Sequence, residues 1–173
     1  MVTTEYPYGE EFPIIRIDTP LCTAEISVYG AHVLSWAPKG QMPVIYMSPK
    51  AVFKKGKALR GGIPLCWPWF GKNTEDASLP AHGVARTAMW QVAHCEEAED
   101  GKVHLLMALP PTQEMMPSGA IAMEVGDELT LSLMTMDVPR SMPFSAAMHT
   151  YFAVSDYETV AATGLEEADF TEF

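Results

Sequence analysis

The chain has 173 residues, 48% of them apolar, enough for one sizeable core and a single domain, or for part of a larger one. Its net charge of −11 speaks against a general nucleic-acid binder, which needs an excess of Lys and Arg on one face. No run approaches the ~18 apolar residues of a membrane span, and the start Met1-Val2-Thr3-Thr4-Glu5-Tyr6 carries neither a basic nor an apolar leader region, so the expected location is cytoplasmic with no membrane partner.

In chain order, the first clear element is a strand, because Ala24, Ile26 and Val28 alternate with Thr23, Glu25 and Ser27. From Ile26 to Thr74 there is no Asp or Glu, whereas Lys39, Lys50, Lys54, Lys55, Lys57, Arg60 and Lys72 all fall there. Two readings stand: a patch that draws an anionic ligand, and a solvated basic loop in an acidic protein. Ser48-Pro49 is the best helix start, with a capping hydroxyl and proline at the first helical position, and Gly56 limits that helix to about two turns. Next comes Arg60-Gly61-Gly62-Ile63-Pro64-Leu65-Cys66-Trp67-Pro68-Trp69-Phe70-Gly71, whose glycines, prolines and large aromatics suit an ordered loop. Its aromatics form either the wall of a pocket or a lid over the core.

Leu79-Pro80-Ala81-His82-Gly83-Val84-Ala85-Arg86 follows, so Arg60 and Arg86 bracket the aromatic loop. Guanidinium groups match phosphate oxygens in a planar, bidentate way, and two converging on this loop would make a phosphate site; two surface salt bridges are the alternative. Asp100-Gly101 and Gly126-Asp127 are hairpin turns, and the second leads into a strand in which Leu129, Leu131 and Leu133 alternate with Thr130 and Ser132. Antiparallel hairpins stacked as an all-β sandwich are the expected architecture.

Read as a strand, the segment from Phe144 to Phe152 places Phe144, Ala146, Met148 and Phe152 on a core face, and Ser145, Ala147, His149 and Tyr151 on the other. That second face suits a pocket floor, where His149 could exchange a proton near neutrality; a buried structural histidine is the other reading. His32, His94 and His104 have no ligand partners at metal spacing, and Cys22, Cys66 and Cys95 are widely spaced, so neither a metal site nor a disulfide framework is expected. No G-x-S-x-G, H-E-x-x-H, Walker or dinucleotide motif supports a hydrolase, NTPase or dehydrogenase.

Taken together, Gly30-Ala31-His32-Val33-Leu34-Ser35-Trp36, Arg60 to Gly71, Leu79 to Arg86 and His149-Thr150-Tyr151-Phe152 resemble the hexose-6-phosphate mutarotases (glucose-6-phosphate 1-epimerases) of the aldose 1-epimerase superfamily, from about Leu21 to Phe173. The resemblance implies a β-supersandwich that interconverts the α and β anomers of a hexose 6-phosphate without a cofactor. It implies His149 as the general acid, Arg60 and Arg86 as substrate-holding arginines and His82 at the pocket edge, and the loop's own aromatics add Trp67 as an expected part of the pocket wall. The family's substrate-binding aspartate is matched by Glu172. The family's C-terminal segment, source of its catalytic glutamate, has no counterpart here, so residues 1–173 read as one β-sandwich domain incomplete at its C-terminus. Self-association through exposed sheet edges is therefore expected. A non-catalytic sugar-phosphate-binding module and a mutarotase of free aldoses remain alternatives.

Overall fold

The computed structural model describes residues 1–111, 117–139 and 142–169. Alternating apolar residues build the first sheet. In it β1 (Val2–Glu5), β2 (Ile14–Asp18), β3 (Cys22–Ser27) and β4 (His32–Pro38) pair antiparallel in chain order. A register shift between Glu25 and Ile26 bends the β3/β4 pair, after which Ser27 lies opposite His32. The strands meet in a tight turn where Gly30 and Ala31 both take positive φ, 81° and 45°.

After β4 the chain runs through a long loop to β5 (Leu65–Cys66) and then to one turn of 3-10 helix, Ala85–Thr87. A second antiparallel sheet follows, made of β6 (Gln91–Glu97), β7 (Val103–Leu109), β8 (Ser118–Val125) and β9 (Leu129–Met136). The turns at Asp100-Gly101 and Gly126-Asp127 join β6 to β7 and β8 to β9, as their residue types predict. Finally β10 (Ala147–Met148) pairs antiparallel with β5.

Ile15, Ile17, Ala24 and Ile26 from the first sheet share one core with Val103, Leu105, Met107, Ile121 and Met123 from the second, so the fold is all-β and antiparallel, with its sheets stacked as a sandwich. Full burial of each such aliphatic side chain contributes about 1.5–3 kcal/mol.

Two expectations need correction. Ser48 does not start a helix: its carbonyl takes the Ala51 amide and its hydroxyl the Lys50 amide, a local turn that competes with helix formation. The segment from Phe144 to Phe152 forms a strand over two residues only, and Phe144, Met148 and Phe152 are exposed rather than in the core.

Candidate anion-binding pocket

The paired glycines Gly61 and Gly62 let the loop lie flat against two neighbouring backbones. A Cβ at Gly61 would stand 2.7 Å from both the Ser48 nitrogen and the Tyr46 oxygen, and one at Gly62 would meet the His32 ring. Positive φ at both, 97° and 70°, adds a second reason for glycine. The loop is pinned by bonds from Ser48 N to Arg60 O and from Ile63 N to Val33 O, 3.1 and 2.9 Å. Arg60 is thereby carried at the edge of the sandwich with an exposed side chain.

On its other side the loop pairs with the segment that bears His149. The amides of His149 and Tyr151 donate to Pro64 O and Gly62 O at 3.0 and 2.9 Å, extending the β5/β10 pairing towards the paired glycines. Spacing by two keeps His149 and Tyr151 on one face. Tyr151, whose parity with His149 is visible in sequence, joins the site although the family resemblance does not single it out.

Arg86 sits on the 3-10 turn, which is tied to the loop by the Trp67 carbonyl: Val84 N and Ala85 N both donate to it, at 2.9 and 3.2 Å. The approach is so close that a Cβ at Gly83 would lie 2.0 Å from the Trp67 oxygen. Arg86 Nη2 donates to Ala81 O at 2.8 Å, while its Nε is buried without a partner among the described residues.

Arg60, Arg86, His82 and His149 line one cavity of about 330 Å³, together with Ala58, Leu59, Pro64 and Tyr151. No Asp or Glu lines it among the described residues, and neither arginine forms an ion pair there. His82 Nδ1 accepts from Gly71 N at 3.2 Å, so the neutral ring carries its proton on Nε2. Burial first, then the charges of Arg86 and His149, lower the His82 pKa from its ordinary value and favour that neutral form. The Phe70 ring packs edge-on to His82 and nearly parallel to His149, with centroids 4.8 and 6.5 Å apart; Tyr151 lies 5.0 Å from His149.

Trp67 departs from its expected place. It is 1% exposed, its indole donates to Thr135 Oγ1 at 2.9 Å, and it lines no part of the cavity. Phe70 and Tyr151 supply the aromatic surfaces beside the histidines, while the Trp67 carbonyl anchors the turn that carries Arg86. Glu172 lies outside the described residues.

Fold and cavity together define a class: a β-sandwich protein with a cavity lined by two arginines and two histidines. Comparison with known proteins narrows it. The family model described as aldose 1-epimerase matches residues 13–172, and the chain belongs to that family. It is 36% identical over 162 residues to a protein of Escherichia coli (strain K12) provisionally named a glucose-6-phosphate 1-epimerase, covering 90% of this chain and 53% of that one. A relative from Cenchrus ciliaris with the same provisional name is 34% identical over 183 residues, covering 96% and 54%. A crystal structure of a protein from Salmonella typhimurium, provisionally named a mutarotase, superposes with a TM-score of 0.75 at 34% identity, covering 84% of this chain and 50% of the other. The chain thus spans about half the length of the curated relatives it matches. Among the described residues no helix is long and apolar enough to cross a membrane.

Proposed function

We propose that the protein interconverts the α and β anomers of a hexose 6-phosphate, and that this chain carries the phosphate-binding and acid side of the site. The observation that carries the reading is the charge of the cavity, where Arg60 and Arg86 meet His82 and His149 without a lining carboxylate among the described residues. Planar guanidinium donors and a positive field suit a phosphate, and both are available there. The Arg86 guanidinium spends one bond on Ala81 O, and its positive charge is not neutralised by a carboxylate among the described residues. The His82 Nε2–H is a further neutral donor at the rim. The provisional names of the relatives point to the same substrate class.

In the reaction, protonated His149 delivers a proton to the ring oxygen while a carboxylate removes the one on the anomeric hydroxyl. The ring opens, the aldehyde end turns over, and the two groups exchange roles on closure. Each positioned proton transfer contributes about 10²- to 10⁴-fold. Atoms balance without a cofactor. That the described lining carries two arginines and no carboxylate also favours a second reading, a sugar-phosphate-binding module that does not catalyse.

Anomer exchange of glucose 6-phosphate, followed by NMR, separates the two. Acceleration that His149→Ala abolishes supports the enzyme. Binding without acceleration supports the module, and equal affinity for glucose and glucose 6-phosphate sinks both. A phosphorylated sugar as substrate goes with a cytoplasmic protein. The exposed Phe144, Phe152, Tyr157 and Leu165 go with self-association, for which sedimentation of a concentration-independent monomer is the contrary result.

A further inference from the structure

His32 is 0% exposed and stands on β4 directly behind the arginine loop. Its Nε2 lies 2.8 Å from Gly61 O, the carbonyl of the residue next to Arg60. A carbonyl only accepts, so Nε2 holds the ring proton and Nδ1 is left as a bare acceptor. That Nδ1 is buried with no partner among the described residues. Two further buried side-chain atoms share this condition, Arg86 Nε and the hydroxyl oxygen of Ser27, a residue that is also 0% exposed. Ser27 and His32 are register partners across β3 and β4, and residues directly opposite on an antiparallel pair project from the same face. A hydroxyl donor and an imine acceptor, each costly to bury alone, are therefore placed side by side.

We propose that Ser27, His32 and Gly61 form a buried relay that positions Arg60: the Ser27 hydroxyl donates to His32 Nδ1 through one enclosed water, and His32 Nε2–H donates to the Gly61 carbonyl. His32 is then a positioning residue that touches no ligand. The relay ties the arginine loop to the centre of the first sheet, at the point where Gly62 permits the imidazole to approach; a Cβ there would lie 2.3 Å from Nε2. Burial of the ring holds its pKa down to about 4, so the neutral tautomer that the relay requires persists through the physiological range. The inference rests on Arg60 holding the phosphate of the proposed substrate.

Two measurements test it. Long-range ¹⁵N–¹H NMR of the imidazoles should show His32 protonated on Nε2, with an Nδ1 resonance that moves towards the free-imine position in Ser27→Ala. An Nδ1–H tautomer, or an Nδ1 signal indifferent to Ser27→Ala, overturns the relay. Titration calorimetry with glucose 6-phosphate should show His32→Leu binding about five- to tenfold more weakly, and His32→Gln, which keeps a donor near Nε2, within about twofold of the parent. In an Arg60→Ala background His32→Leu should cost nothing more. Unchanged binding in His32→Leu, or His32→Gln as weak as His32→Leu, overturns the positioning role. If His32→Leu does not fold, Ser27→Ala takes its place, with an expected loss of about two- to threefold. A parent protein that does not bind glucose 6-phosphate, or binds it as well after Arg60→Ala, refutes the phosphate pocket instead, and the NMR arm still decides the relay.

Discussion

The stacked sheets and the segment from Met142 to Asp169 are held in opposite ways. Ile17, Ile26, Met107 and Ile121 are 0% exposed, and the sheets they belong to are fixed by a shared apolar core. In the later segment Phe144 is 52% and Phe152 65% exposed, and the chain is secured by backbone bonds instead: Ser145 N to Pro68 O, His149 N to Pro64 O, Tyr151 N to Gly62 O and Ala153 N to Val44 O. One half of the pocket, with Arg60 and Arg86, rests on the core. The other half, with His149, takes its position from a neighbouring backbone. Backbone pairing without buried side chains gives correct placement at low local stability.

The sharpest way to break this contrast is to remove a large side chain from each region. Trp67→Ala should lower unfolding free energy by about 3–5 kcal/mol in denaturant titration, because it opens a cavity in the shared core and removes the partner of Thr135. Next comes pH. Folded His32 has a pKa near 4 against an ordinary 6.5, so between those values the unfolded chain binds a proton that the folded chain refuses. Stability owed to neutral His32 is complete above pH 6.5 and is lost as pH falls towards 4. From pH 7.5 to 5 the loss is about 2 kcal/mol, and it should be absent in His32→Gln. On the ligand side, Arg86→Lys should weaken glucose 6-phosphate about tenfold in calorimetry, since an ammonium replaces a planar fork. The smallest effect belongs to Phe152→Ser, within about 0.5 kcal/mol of the parent in stability, with weaker self-association in sedimentation.

The same contrast explains what was legible in the sequence. Period-two patterning placed β3 and β9, and the Asx-Gly pairs placed two hairpins, because those features report local backbone preference and burial together. Arg60, Arg86, His82 and His149 were legible as motifs, and the fold brings all of them to one cavity. Trp67 was not, since an aromatic in a Gly/Pro loop reads alike whether it faces a ligand or the core. The exposure of Phe144, Met148 and Phe152 was also hidden: alternation shows which residues share a face and is silent on whether anything covers it. His32 was visible in its Gly-Ala-His setting, while its link to Gly61 depends on a contact across 29 positions of sequence.

The pairing of Gly62 and Pro64 with Tyr151 and His149 has a kinetic consequence. Those partners lie more than eighty positions apart, whereas every strand pair of the two sheets joins sequence neighbours. Closing the longer loop costs more chain entropy and returns little buried surface, so the pocket is expected to assemble after the sandwich has formed. A bound sugar phosphate would then act on the last step of folding, and would slow the escape of the His149 segment while leaving the birth of the core untouched.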